Sequence, residues 1–196
     1  MNYIAHIHLA HQTNTSMVGN FLGDFIKGSD LSNLHPEIRQ GVLLHRKIDS
    51  FTDSHELTAE MRSAFPNQIR RMSGVIMDVY FDHLLCKFWG KFNHLNLEDM
   101  LEEFYIQLSQ TNVRTPRFSR VQESLVKNKW LANYQHVEGY QNALVHIQTR
   151  LNNKIQFAAA AMDFINKNEE TLQAMFIDFY PIVIEYAKSL VNENNV

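Results

Sequence analysis

The sequence predicts an all-α protein, a single-domain helical bundle. Apolar residues recur at spacings of three and four along most of its 196 residues, which is the period of an α-helix. The chain offers no convincing strand that could pair with another, and its length fits one domain. We therefore expect one helical domain over residues 1–196, with the chemistry in residues 1–95 and the scaffold and partner surface in residues 96–196.

Residues 35–55 form the stretch around which the chain is organised, because polar residues interrupt the apolar face of a predicted helix. The shared face carries Ile38, Val42, His45, Ile48 and Asp49. An unpaired buried imidazole or carboxylate costs on the order of several kcal/mol. His45 and Asp49 are four residues apart and thus predict a shared partner. That partner is either each other, as a self-satisfied pair, or a cation.

A second helix with carboxylates in its apolar face is predicted over residues 67–92. Its stripe consists of Val75, Asp78, Val79, Asp82, Cys86 and Trp89. Asp78 and Asp82 lie one helical turn apart, and His83 follows directly. Because two like charges at this spacing repel, we expect a positive group between them. A metal ion is one candidate, and Arg46 or Lys47 is the other.

The N-terminal segments contribute two further candidates. Residues 3–11 alternate apolar residues with histidine, a pattern that fits strand or helix; we favour helix, with His6 either as a metal ligand or as a hydrogen-bond donor to a metal ligand. Residues 16–28 predict a short helix that Ser16 caps and Gly28 ends.

In that short helix, Gly19 and Gly23 each cost about 1 kcal/mol relative to alanine. Close packing against another helix would offset this cost. Asp24 lies near the predicted contact and is a candidate ligand, with an ordinary exposed aspartate as the alternative.

The second half of the chain predicts mostly scaffold. Residues 97–111 form an amphipathic helix, and residues 111–129 are polar and basic, which also fits a solvated connector. Residues 136–153 and 155–192 predict two long helices, the latter with a break at 166–168. Pro181 should kink or restart the last helix.

Several classes of protein are excluded or disfavoured by composition. Cys86 is the single cysteine, which excludes an internal disulfide framework and a cysteine-based zinc site. The chain has no P-loop, dinucleotide fingerprint or nucleophile elbow. No apolar run reaches the roughly 18 residues that a membrane helix needs, and the N-terminus lacks the basic region of a signal peptide. We expect a cytoplasmic protein with no membrane span and no nucleic-acid partner.

Imidazole and carboxylate groups therefore recur on the core-facing sides of three predicted helices. A mixed set without thiolates suits manganese, iron or magnesium better than structural zinc. Such a site lowers the pKa of bound water and holds a phosphoryl oxygen, as metal-assisted phosphoester hydrolysis requires. Spacing alone leaves open whether the bundle is a hydrolase or performs redox chemistry.

Four segments resemble the acyl carrier protein phosphodiesterase family in residue content, order and spacing. They are MNYIAHIHLA, GNFLGDFIKG, GVLLHRKIDSFTDSH and MDVYFDHLL. The resemblance implies an all-helical enzyme distantly related to the HD-domain metal phosphohydrolases. It also implies Mn²⁺-dependent removal of 4′-phosphopantetheine from holo-acyl carrier protein, which leaves the apo form; Mg²⁺ or Fe²⁺ are alternative ions.

The resemblance also implies roles for residues in these motifs. The implied metal ligands are Asp24, His45, Asp49, Asp78, Asp82 and His83. The implied catalytic residues are His45, Asp49, Arg46 and His6. One feature departs from the wider HD superfamily, whose histidine and aspartate are adjacent: here Arg46 follows His45, and only Asp82-His83 has that adjacency, in reversed order.

The implied partner is acyl carrier protein, a small acidic protein. The chain carries a net charge of −3, but its charges are unevenly distributed. We expect a basic docking surface that includes Arg70, Arg71, Arg114, Arg117 and Arg120. Two rival interpretations remain, an HD-type nucleotide phosphohydrolase and a non-enzymatic helical module that binds a metal or a partner.

Overall fold

The computed structural model describes residues 1–152 and 154–193, and within these residues it is helical with no strand. Two short 3₁₀ helices cover Arg70–Met72 and Trp130–Gln135. The α-helices are α1 Tyr3–Gln12, α2 Met17–Leu22, α3 Pro36–Ser54, α4 Glu56–Ala64, α5 Ser73–Lys87, α6 Trp89–Phe92, α7 Leu97–Gln110, α8 Pro116–Asn128, α9 Val137–Arg150, α10 Ala158–Lys167 and α11 Glu169–Glu193. The predicted fold class is confirmed.

Helices α1 and α5 lie in the middle of the bundle. Every residue of α1 from Ile4 to Ala10 is buried, and so is every residue of α5 from Val79 to Cys86. A helix that is buried on all sides needs no polar face. This explains why residues 3–11 fit strand and helix equally well in sequence, and the prediction of a helix there is confirmed.

Helices α2 and α3 approach each other very closely, as the glycine spacing predicted. Ser16 caps α2 by accepting a hydrogen bond from the backbone amide of Gly19 at 2.9 Å. A Cβ atom added to Gly41 would lie 2.6 Å from the backbone nitrogen of Asn20. The helix ends at Leu22, earlier than predicted, although Gly28 does adopt the positive φ of 83° that favours glycine.

Elsewhere the predicted helices are found with changed limits. The single helix predicted over 67–92 is divided into a 3₁₀ turn, α5 and α6, and the basic segment contains helix α8 rather than only a connector. The break at 166–168 is confirmed between α10 and α11. Helix α11 continues through Pro181 without a restart. The predicted helix over 136–153 ends at Arg150, and residue 153 itself lies outside the described residues.

The structure also bears on the single cysteine and on the question of a membrane span. Cys86 is buried within α5. Among the described helices, none combines the length and the apolar character that a bilayer crossing requires.

Candidate metal centre

Helices α1 and α3 bring together three of the predicted site residues. Nε2 of His6 lies 3.0 Å from Oδ1 of Asp49, and Nε2 of His45 lies 3.1 Å from Oδ2 of the same carboxylate. The two imidazole rings stack with centroids 3.9 Å apart. Both histidines are buried, whereas the Asp49 side chain is 38% exposed. The cluster of His6, His45 and Asp49 thus has one face toward solvent.

The buried Asn20 side chain fixes the His6 ring. Its Oδ1 lies 2.9 Å from Nδ1 of His6 and is an acceptor, so it stabilises the tautomer in which Nδ1 carries the proton and donates to Asn20. In the neutral ring, the lone pair of Nε2 then points at Asp49. Two acceptors that face each other at 3.0 Å repel unless a proton or a cation lies between them. This arrangement favours a bound cation.

The pKa shifts of His6 and Asp49 also favour the binding of a cation. Burial, together with the neighbouring His45, lowers the pKa of His6, so the imidazole is neutral and free to act as a ligand. Burial opposes ionisation of Asp49, but the neighbouring His45, His6 and amino group of Met1 outweigh it and hold the pKa of that carboxyl well below its usual range. The cluster therefore offers two imidazole rings and one carboxylate.

A positive group does lie next to the predicted acidic ligands, but it is neither Arg46 nor Lys47. The amino group of Met1 lies 3.1 Å from Oδ1 of Asp78 and 3.4 Å from Oδ1 of Asp49. Burial alone would lower the pKa of this amino group, but the two carboxylates raise it to about 11. Asp78 is thereby linked to the cluster through a shared cation.

Asp82 makes different contacts. Its two carboxylate oxygens accept hydrogen bonds from the backbone amides of Ile4 and Ala5, each at 3.0 Å. These amides belong to the first turn of α1, where helices lack internal acceptors. Burial raises the pKa of Asp82 to about 7, while the two amides act in the opposite direction. The structure places this carboxylate as the cap that positions the helix of His6.

The other implied ligands also lie apart from the cluster. Nδ1 of His83 lies 2.8 Å from the backbone carbonyl of Tyr134. Asp24 follows α2, outside the helix, and its backbone carbonyl accepts a hydrogen bond from Arg117 at 3.4 Å. Arg46 donates to the backbone carbonyl of Ile26 at 3.0 Å. Their roles as ligands or catalytic residues stay predictions.

The arginines of the predicted docking surface are exposed, but several are also engaged with the backbone. Arg70 donates to the carbonyls of Ser63 and Phe65 and so holds the end of α4. Arg114 and Arg120 bond to nearby carbonyls of their own segment. Arg117 lies over the ring of Phe25, at 5.0 Å from its centroid. Arg71 is exposed.

The donor set fits a divalent cation. One ligand atom from each of His6, His45 and Asp49 lies within 4.8 Å of the other two, among the described residues. Two imidazoles and one carboxylate form a set that suits iron or manganese, and the absence of thiolate argues against structural zinc. The ring of His6 is oriented by Asn20, as ligand histidines commonly require.

Two participants were not predicted as such. Asn20, the partner of His6, was not among the predicted site residues; the available signal was an amide side chain placed between Gly19 and Gly23 in a helix that packs closely. The amino group of Met1 left no signal in side-chain patterns.

The comparisons with known proteins agree on one family. A family model described as "Acyl carrier protein phosphodiesterase" matches residues 1–183. A protein named acyl carrier protein phosphodiesterase from Yersinia pestis is 32% identical over 192 residues, which cover 96% of this chain and 98% of the relative. A protein of the same name from Salmonella agona is 29% identical over 193 residues, 95% of this chain and 97% of the relative.

No solved structure matches the chain, so the predicted likeness to HD-domain phosphohydrolases stays a prediction. The match to the family model spans nearly the whole chain and includes α1 and α3, the two helices that build the cluster. The chain therefore belongs to the acyl carrier protein phosphodiesterase family, a family of phosphoric diester hydrolases.

Proposed function

We propose that this protein is a divalent-metal-dependent phosphodiesterase that removes 4′-phosphopantetheine from holo-acyl carrier protein and leaves the apo form. The observation that carries the metal dependence is the cluster of His6, His45 and Asp49, in which acceptor atoms face one another. The family, and the names of its relatives, supply the substrate. Mn²⁺ is the ion that we favour, with Fe²⁺ and Mg²⁺ as alternatives.

The residues of this chain have separate tasks in the reaction. His6, His45 and Asp49 hold the cation, and Asn20 keeps the proton of His6 on Nδ1 so that Nε2 stays available. When bound, the cation supplies Lewis acidity to a phosphoryl oxygen and acidifies bound water. Asp78, which is 42% exposed, presents a carboxylate beside the cluster that is able to accept a proton.

The cluster is also accessible to a protein substrate. Asp49 and Asp78 are the partly exposed members of the group, while the two histidines lie behind them. A serine on the surface of a carrier protein can approach this face without entering the bundle. The basic residues predicted for docking, above all Arg71 and Arg117, would attract an acidic carrier to the enzyme.

The test is a cleavage assay with purified protein and holo-acyl carrier protein, in the presence of Mn²⁺ or of a chelator. We expect the carrier to lose the mass of 4′-phosphopantetheine only with the metal. Nucleotides serve as the parallel substrate. Cleavage of nucleotides but not of the carrier would favour the HD-type nucleotide hydrolase, and cleavage of neither would favour the non-enzymatic module.

A further inference from the structure

A large cleft opens beside the metal cluster. Its volume is about 880 Å³, at the upper end of the range of small-molecule sites. Helices α5, α8 and α9 and the start of α1 provide its wall. Met1 and Asp78 belong to that wall, and the amino group of Met1 also contacts Asp49 of the cluster. The cleft and the cluster therefore share a boundary.

The wall combines amide groups with apolar surface. Four asparagines line it: Asn2, Asn128, Asn133 and Asn142. The apolar part consists of Val75, Val79, Val121, Ala143, Ile147 and the indole of Trp130. Such a wall suits a ligand in which amides alternate with aliphatic groups, because each asparagine side chain both donates and accepts hydrogen bonds.

The charges of the cleft are close to balanced. The cations Arg117, Arg150 and the amino group of Met1 are opposed by the carboxylates of Asp24, Asp78 and Glu138, and two histidines, His136 and His146, also line the wall. The electrostatics at Tyr3 show the same mixture, since burial and Asp24 raise the pKa of its phenol while Arg117 and Arg150 lower it. A site for a polyphosphate would need an excess of cations. The cleft is therefore suited to a ligand whose body is neutral.

We propose that this cleft binds the pantetheine arm of the substrate, with the phosphodiester at the cluster end and the thiol end directed away from it. The inference rests on the proposed function. Pantetheine is a neutral chain with two amides and an aliphatic head, which matches the wall. The carrier is too large for the cleft and stays at the solvent face of Asp49 and Asp78, so the arm occupies the space behind them.

The experiment uses pantetheine without phosphate, so that binding does not require the metal. We expect saturable binding in calorimetry and a change in the fluorescence of Trp130, which lines the cleft, whereas Trp89 is buried elsewhere. Ala143→Phe places a ring in the cleft and should weaken binding about tenfold or more. Val145→Phe is the matched control, because Val145 is exposed on the same helix and does not line the cleft.

The same variants are then assayed for cleavage. Ala143→Phe should raise KM for the holo-carrier by a larger factor than it lowers the rate on bis(p-nitrophenyl) phosphate, which has no arm, whereas Val145→Phe should leave both unchanged. Should Ala143→Phe fail to fold, the exposed Asn142→Leu serves the same purpose by removing one amide from the wall.

Two results would overturn the inference: wild-type protein that cleaves holo-carrier but does not bind pantetheine, or equal binding by the cleft variants and the wild type. Saturable binding that Ala143→Phe weakens would support the inference even if the carrier assay failed. In that case the proposed function alone would fall.

Discussion

At the residue scale, the site depends on where the ring of His45 is allowed to lie. The ring packs directly on the backbone of Gly23, so closely that an added Cβ would lie 2.2 Å from Cγ of His45. Glycine at this position thus permits the stacking of His45 on His6. The backbone of Gly23 has an ordinary helical φ of −53°, which any residue could adopt. Glycine is needed here because it has no side chain that would collide with the His45 ring.

We predict that Gly23→Ala displaces the His45 ring and lowers Mn²⁺ affinity by about 10–100-fold, as for other residues that orient metal ligands. Overpacking should also cost about 1–3 kcal/mol of the free energy of unfolding, measured by urea denaturation. Gly90→Ala is the control, since an added Cβ at Gly90 meets no atom within 4 Å.

A double variant separates the two effects. Adding His45→Ala to Gly23→Ala removes the clash, and we expect it to regain stability but not metal binding. Unchanged Mn²⁺ affinity in Gly23→Ala would show that the position of the ring does not matter.

At the element scale, the sequence predicted the helices well and their contacts poorly. The Ser16 cap and the close packing of α2 on α3 followed from local signals, because capping and glycine spacing act over a few residues. The contact between α1 and α5 could not be predicted from such local signals. Asp82 caps α1 across 78 residues of chain, and no periodicity within either helix indicates which carboxylate meets which helix end.

The same limit explains the candidate site. His45 and Asp49 share one helix, so their spacing alone predicted a shared partner, either each other or a cation, and the two side chains do meet. His6 was a candidate from the alternating pattern of residues 3–11 and from its motif, but its contact with Asp49 depends on how α1 crosses α3, which neither signal shows. Asp78 and Asp82 are one turn apart on α5, yet Asp78 faces the cluster and Asp82 faces the start of α1. Periodicity places residues on one face but does not say what each residue contacts there.

At the scale of the whole molecule, charge distribution bears on how an acidic carrier would dock. Arg70 is an unsuitable probe because its guanidinium holds two backbone carbonyls. Arg117 lies at the cleft and Arg71 is exposed. Arg71→Glu tests the docking surface without removing a backbone contact of this kind. Arg117→Glu also removes the hydrogen bond to the backbone carbonyl of Asp24, so the stability of this variant is measured by urea denaturation alongside its KM.

We predict that Arg71→Glu and Arg117→Glu each raise KM for the carrier, by up to about tenfold at low ionic strength, where electrostatic steering is strongest. The effect should diminish as salt screens the charges. Lys188→Glu on α11 is the control, since Lys188 pairs with Glu185 of its own helix and lies outside the predicted surface. If KM in low salt is the same for all three variants and the wild type, neither arginine docks the carrier.

The central claim is that His6, His45 and Asp49 hold a divalent cation, and Mn²⁺ binding tests it most directly. Electron paramagnetic resonance measures free Mn²⁺ during a titration of wild-type protein, Asp49→Asn and the control Asp163→Asn, whose carboxylate lies exposed on α10. At a free concentration of 100 times Kd, the metal should also add about 2.7 kcal/mol to the free energy of unfolding. We expect both effects in the wild type and the control, and neither in Asp49→Asn. Unchanged Mn²⁺ binding by Asp49→Asn, or no binding by the wild type, would contradict the account.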